Sequence, residues 1–236
     1  MIEFYAKATI PTKYGEFEMY IFKEEKTNGR EITLEHLAIF KNYDEELPLV
    51  RVHSKCLTGE VFGSLRCDCG PQLDIALSTI GQVGGILVYL DQEGRGIGLA
   101  NKIRAYSLQD KGYDTVQANI ALGFKPDERN FAPAAFILEY FRVKALALLT
   151  NNPDKIEQLK KYGFEVERIP IFVGATPHSE NYLLTKEKEM GHLIEQKKIA
   201  TPDDIIRSYR EIVRKRTNRE KKKEEKRISL PTKQTR

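Results

Sequence analysis

The chain has 236 residues, 41% of them apolar, enough to bury a sizeable core in one domain or one and a half. Its net charge of +4 hides a split: thirteen of the 38 Lys and Arg but only four of the 34 Asp and Glu lie in residues 207–236, net +9, so the rest of the chain is net −5 and no basic catalytic body can be inferred. No apolar run approaches the roughly 18–20 residues that cross a bilayer, and no basic stretch leads into an apolar segment at the start, so a cytoplasmic protein with no membrane partner is expected.

In chain order, Glu16–Phe22 begins with polar and apolar residues alternating and ends apolar, which favours a strand. His36–Phe40 and Leu47–His53 are further strands, with Pro48 at a strand start or on an edge. Pro71 suits a helix start, and Leu73, Ala76, Leu77 and Ile80 follow at helical spacing until Gly84 and Gly85 end the run. Ile86–Leu90 reads as a short buried strand. A helix over Ile97–Lys111 stops at Gly112, and another covers Pro133–Phe141. Ala145–Leu149 is the next strand, Pro153–Tyr162 a helix ended by Gly163, and Phe164–Arg168 a strand. The expected fold class is therefore α/β in the mixed α+β sense, a strand-rich N-terminal part followed by alternating helices and strands.

After Pro170 the character changes. Asn181–Lys198 predicts a helix weakened at Gly191. Pro202-Asp203-Asp204 opens a last helix, with its acids at the positive N-terminal end. Arg214–Arg227 is almost wholly charged and cannot bury a face, so a solvated helix or disorder is expected there. The domain reading is a folded unit over residues 1–195 and a basic extension over 196–236.

Cys56, Cys67 and Cys69 are the only cysteines, and they lie within fourteen residues. An odd number without an export signal argues against a disulfide framework. Three thiolates suit zinc, and a tetrahedral ion with three protein ligands keeps one position open for water, the usual design of a hydrolytic site. A closed structural site needs a fourth ligand, and His53 is the nearest candidate. Three thiolates also outweigh the charge of zinc, which weakens it as a Lewis acid and calls for help from neighbouring groups. A zinc nucleobase deaminase is the obvious rival, but its H-x-E…P-C-x-x-C signature is absent.

The segment Arg51-Val52-His53-Ser54-Lys55-Cys56-Leu57-Thr58-Gly59, continued by Ser64-Leu65-Arg66-Cys67-Asp68-Cys69-Gly70, resembles the GTP cyclohydrolase II family. Further blocks follow in the family's order: Gln92–Leu99, Lys102–Tyr106, Asp114–Asn119, Leu122–Phe124 with Asp127–Arg129, and Leu149–Pro153. The resemblance covers about residues 5–192, and its weight comes from the ordered set.

It implies a catalytic domain that opens the guanine imidazole ring of GTP at C8, releasing formate and pyrophosphate, in the first step of riboflavin synthesis. Cys56, Cys67 and Cys69 would hold one zinc per subunit and supply an activated water. Arg51, Val52, His53, Ser54, Lys55, Gln72, Glu93, Gly94, Arg95, Thr115, Thr150 and Lys155 would contact GTP, with Mg2+ accompanying the triphosphate. Asp127 would accept a proton, Arg129 would act on the α-phosphate, and Tyr106 would serve complete ring opening. A homodimer is implied as well. From the residues themselves, Arg95 and Lys155 suit phosphate, and Glu93 could meet the guanine N–H groups. An arginine nucleophile is chemically awkward, so a clamp held by Asp127 is the less demanding role for Arg129. The family commonly carries Glu at 55, Arg at 91 and Asp at 130, where this chain has Lys55, Asp91 and Asn130. Two alternatives stand beside this reading: a relative with partial chemistry, and a zinc module that binds RNA through the basic tail.

Overall fold

A computed structural model of the protein describes residues 1–27, 31–44, 46–174, 179, 187, 191–193 and 199–229. Seven strands among them, β1 (Ile2–Thr12), β2 (Gly15–Thr27), β3 (Glu31–Lys41), β4 (Leu49–Ser54), β5 (Gly85–Leu90), β6 (Ala145–Leu149) and β7 (Glu165–Ile169), form one sheet in the order β1-β2-β3-β5-β4-β6-β7. The first three pair antiparallel, and β3 joins β5 in the same sense. β5, β4, β6 and β7 run parallel. The helices are α1 (Leu57–Glu60), α2 (Cys69–Val83), α3 (Gly98–Gln109), α4 (Thr115–Ala121), α5 (Ala132–Tyr140), α6 (Pro153–Lys161) and α7 (Pro202–Ser229).

The alternation of side chains along the central strands loads both faces of the sheet. On one face Val50, Val52, Ile86, Val88, Leu146 and Leu148 pack against Ala134, Ile137 and Leu138 of α5 and Leu159 of α6. On the other, Leu49, Leu87, Ala147 and Leu149 pack against Ile75, Ala76 and Ile80 of α2 and Ile205 and Tyr209 of α7. The mixed α/β class expected from the sequence is the one observed.

Several boundaries differ from the sequence reading, each for a visible reason. β1 was not anticipated: it is an edge strand whose residues are almost all exposed, with Ile2 and Phe4 packing against the core at its start. β2 runs on past Phe22 to Thr27 because its backbone keeps pairing with β3 as far as Thr27↔Glu31. β4 begins at Leu49, just after Pro48, which has no N–H to give and joins β6 only through its carbonyl, accepting from Ala147 N at 2.9 Å. α4 is a further addition, held by a capping box: the Asp114 side chain accepts from Val116 N and Gln117 N, and Gln117 Oε1 accepts from Asp114 N.

The first turns of α7 belong to the core. Ile205, Ile206 and Tyr209 are buried, and the Tyr209 hydroxyl donates to Leu47 O over 2.8 Å. Farther along, Arg216 meets Glu165 at 2.8 Å and Arg219 meets Glu167 at 3.7 Å, tying the helix to β7. The charged run from Arg214 is helical as far as Ser229, on the solvated side of the alternatives expected for it. The helix expected over Asn181–Lys198 falls almost wholly outside the described residues. No helix among the described residues is long and apolar enough to cross a membrane.

Candidate active site

β5, β4 and β6 lie side by side and parallel, so their C-terminal ends share one edge of the sheet. The chain leaves β4 toward β5 and returns to its other side as β6, and ligands of parallel sheets bind in the crevice at such a reversal. The segments following these strands carry many of the residues singled out above: Lys55 and Cys56 after β4, Glu93–Arg95 after β5, and Thr150 and Lys155 after β6.

Two cavities open at this edge. The first, about 700 Å³, is lined by Arg51, His53, Ser54, Asp68, Cys69, Gln72, Arg95, Arg129, Thr150 and Lys155 among others. The second, about 570 Å³, is lined by Ser54, Lys55, the three cysteines, Glu93, Gly94, Arg95, Lys102, Tyr106, Thr115 and Asn119 among others. Ser54, Cys69 and Arg95 belong to both walls, so the cavities adjoin.

The cysteine sulfurs converge to within 4.8 Å of one another, with Cys56 and Cys67 3.6 Å apart. All three are free thiols, and no other cluster of metal-ligating groups occurs among the described residues. The sulfurs sit in a tight cup. A Cβ at Gly59 would lie 2.8 Å from Cys67 Sγ, and one at Gly70 would lie 2.5 Å from Gly59 O. Three convergent, unpaired thiols held this closely fit a zinc ion as a donor set. His53 does not complete it. Its Nε2 lies 2.8 Å from Glu60 Oε1 and its Nδ1 3.4 Å from an Arg51 nitrogen, so both ring nitrogens are engaged elsewhere. Burial lowers its pKa to about 4, which keeps the ring neutral, with Nε2–H donating to Glu60. Glu60 also accepts from the Tyr89 hydroxyl at 2.5 Å.

Lys102, which the sequence reading left without a role, enters this cup from α3. Its Nζ lies 3.1 Å from Cys56 Sγ and 2.8 Å from Glu93 Oε1. Burial opposes its charge, but the Glu93 hydrogen bond and the Cys56 sulfur outweigh that and hold the ammonium above the ordinary lysine range. The Cys56 thiol is driven far below the usual thiol range, first by hydrogen bonds from Cys67 and Cys69 and then by Lys102. Glu93 accepts in addition from Leu57 N at 2.7 Å and Gly94 N at 2.8 Å, so its carboxylate is bound up in the wall of the second cavity. Gly94 is left-handed at φ 63°, and a Cβ there would meet the Lys102 stem at 3.0 Å. Arg95 shares that left-handed conformation at φ 62° without being glycine, a strained backbone at a residue that faces both cavities.

The first cavity gathers positive charge. Arg51 is buried, donates to Leu149 O at 2.8 Å and to Gln72 Oε1 at 2.5 Å, and is lowered by burial to about 10. Gln72 passes the contact on to Asp68 Oδ2. Lys155 donates to Val52 O at 2.8 Å, which is the part Val52 plays while its side chain lies in the core. Thr150 is buried and accepts from Asn152 N. Arg129 is held by Asp127 through Nε at 2.9 Å and through a terminal nitrogen at 2.5 Å. Burial alone would raise the Asp127 pKa, and the Arg129 guanidinium more than offsets it, keeping the carboxylate ionised. Asp127 lines neither cavity and acts through Arg129. Among the described residues, Arg51 Nε and the Ser54 hydroxyl are buried with no hydrogen-bond partner.

In the second cavity Tyr106 is half-buried, and burial pushes its pKa up to about 12, so its phenol keeps its proton at neutral pH. Thr115 opens α4 on the far wall. Lys55 and Asp91 meet at 3.1 Å. These are two of the positions at which the resemblance led to an expectation of Glu and Arg, and here they form one ion pair of the opposite polarity. The sequence reading missed Asp68, Lys102 and Glu60. Glu60 and Asp68 lie on the cysteine segments and Lys102 reaches them only in the fold; what marks all three is a buried side chain, a feature of the folded chain.

The family model described as GTP cyclohydrolase II matches residues 3–170. The chain is 53% identical over 188 residues to a GTP cyclohydrolase-2 of Helicobacter acinonychis, and 52% identical over 188 residues to one of Helicobacter pylori. Both alignments cover 80% of this chain and 96% of the relative. It is also 50% identical over 194 residues to the riboflavin biosynthesis protein RibBA of Staphylococcus aureus, covering 82% of this chain and 48% of that longer protein.

Proposed function

The chain belongs to the GTP cyclohydrolase II family and has that family's activity in riboflavin biosynthesis, and we propose that its two adjoining cavities divide the substrate between them. Guanine lies in the cavity with the cysteine trio, and the triphosphate lies among the cations of the other. The observation that carries this reading is the shared wall of Ser54, Cys69 and Arg95, which joins a sulfur-lined space to an arginine-lined one at nucleotide scale.

Cys56, Cys67 and Cys69 would hold zinc. A zinc held there would supply Lewis acidity to activate water toward C8 of the base. Arg51, Arg95 and Lys155 bind phosphate oxygens, Arg51 Nε and the Ser54 hydroxyl being donors free to do so. His53 and Gln72 orient Arg51, the Val52 carbonyl accepts from Lys155, and Thr150 lines the same cavity. Arg129 clamps the α-phosphate while Asp127, ionised and outside both cavity walls, fixes its guanidinium, a positioning role in place of the proton acceptor that the resemblance implied. Its two-pronged grip on Arg129 supports a clamp over a nucleophile, since an ionised partner keeps the guanidinium charged. Tyr106, protonated at neutral pH, donates to a ring nitrogen as the imidazole opens. Glu93, Gly94 and Thr115 shape the base cavity, and Lys55 closes its rim with Asp91. Atoms balance with GTP and water going to formate, pyrophosphate and a diaminopyrimidine ribosylamine phosphate. Mg2+ would accompany the triphosphate, and a homodimer in the cytoplasm is the setting that family membership suggests.

The test is product identification on protein of measured metal content. Formate and pyrophosphate released from GTP are expected, with ring opening lost in Cys67→Ser. Zinc and GTP both bound without any formate would remove the reading.

A further inference from the structure

A zinc ion held by three thiolates carries excess negative charge from its ligands and is a poor Lewis acid unless a neighbouring group draws electron density from the sulfurs. The cup contains one such group. Lys102 has an ammonium nitrogen 3.1 Å from Cys56 Sγ, and its side chain is only 9% exposed. Glu93 Oε1, 2.8 Å away, fixes the direction of that ammonium, and Glu93 is itself held by the backbone N–H groups of Leu57 and Gly94. Gly94 leaves room for the lysine stem where a side chain would press on it. A buried lysine aimed at a sulfur by a three-point carboxylate anchor is a costly arrangement to keep without a function.

We infer that Lys102 is a positioning residue for the reaction: it donates a charge-assisted hydrogen bond to the Cys56 thiolate and thereby keeps the metal at the cysteine trio electrophilic. The inference rests on the reading of that trio as the zinc site. A sulfur that accepts an N–H bond donates less to its metal, and the metal in turn draws more from bound water. Glu93 is the second member of the device, since it sets where the lysine points.

The test uses the full chain loaded with Co2+ in place of zinc, which makes the sulfur-to-metal charge-transfer band visible. Wild-type, Lys102→Met, Lys102→Gln and Lys102→Arg proteins are compared at equal metal content, with folding followed by circular dichroism. A more electron-rich sulfur gives up charge more readily. The band is therefore expected to move to lower energy in Lys102→Met, by less in Lys102→Gln, whose amide is a weaker donor, and to return toward wild type in Lys102→Arg. Formate release by the zinc forms is expected to fall about 10–100-fold in Lys102→Met and to recover in part in Lys102→Arg. If Lys102→Met does not fold, Lys102→Gln carries the comparison alone. A folded, metal-loaded Met or Gln variant whose band coincides with wild type overturns the inference and leaves the zinc reading intact. Failure of the wild-type protein to take up either metal overturns the zinc reading itself.

Discussion

Replacing Gly59 by alanine separates local helix stability from the geometry of the cysteine cup. Gly59 lies in α1, where alanine is the better helix former by about 1 kcal/mol, so propensity alone predicts a more stable protein. The added Cβ, however, would stand 2.8 Å from Cys67 Sγ and 3.4 Å from Cys56 Sγ. An ordinary contact needs about 3.5 Å, so the Cys67 sulfur must retreat by roughly 0.7 Å or the helix must back away from it. Metal sites tolerate displacements of about 0.2 Å before coordination suffers. Sulfur cannot yield as the tip of a long side chain does, because its position is set by the short stem of a cysteine between Arg66 and Asp68. The expected loss is at least about 10–100-fold in zinc affinity, or about 1.4–2.7 kcal/mol. Chelator competition on the folded protein measures it directly, beside a thermal melt of the metal-free form. Weakened zinc binding together with a metal-free melt at or below wild type is the expected pair of results, because the unyielding sulfur presses on the new methyl in that form too. Zinc affinity within about threefold of wild type would refute the close packing of the cup around its ligands.

The reversed ion pair and the buried histidine give two further predictions. Lys55→Glu alone sets two carboxylates face to face at the rim of the base cavity and should raise the KM for GTP about two- to fivefold, the scale of a half-exposed pair. Adding Asp91→Arg should recover most of that loss, whereas a double variant as poor as the sum of the singles would show that the two residues are not coupled. His53 is held at about 4 by burial against an ordinary 6.5, so the unfolded chain takes up a proton that the folded one refuses. Its contribution to stability is full above pH 6.5 and is lost as the pH falls toward 4, amounting to about 2 kcal/mol between pH 7 and pH 5. Urea unfolding at both pH values should show this loss in wild type and a smaller one in His53→Gln; equal losses in the two proteins would contradict it.

Much of the site was legible in the chain because it is written locally. The spacing of Cys56, Cys67 and Cys69 places three sulfurs on two short connected segments, and the cup needs only those segments and the glycines between them. Asp114 and Gln117 also spelled a capping box, a local signal for α4 that a search for apolar periodicity passes over. β1 was legible too, since Ile2, Phe4, Ala6, Ala8 and Ile10 alternate with Glu3, Lys7 and Thr9, and the sequence reading passed over that pattern.

Other features had no sequence signature. Whether His53 would be a fourth ligand depended on where its ring points, and Glu60 and Arg51 settled that from either side. Lys102 reaches Cys56 across 46 positions and Glu93 across nine, and only the parallel pairing of β4 and β5, which sets the segments after them side by side within reach of α3, brings the three together. Likewise Pro202-Asp203-Asp204 read only as the start of a helix in a basic extension, and the fold alone shows its first turns packing beside α2 and sending Tyr209 to Leu47. Residue types and short spacings determined the chemistry this protein has available, since donor atoms and turns are set within a few bonds. The tertiary structure decided which charges lost their water and which partners they met, because burial and contact across the sheet arise only when distant segments share one core.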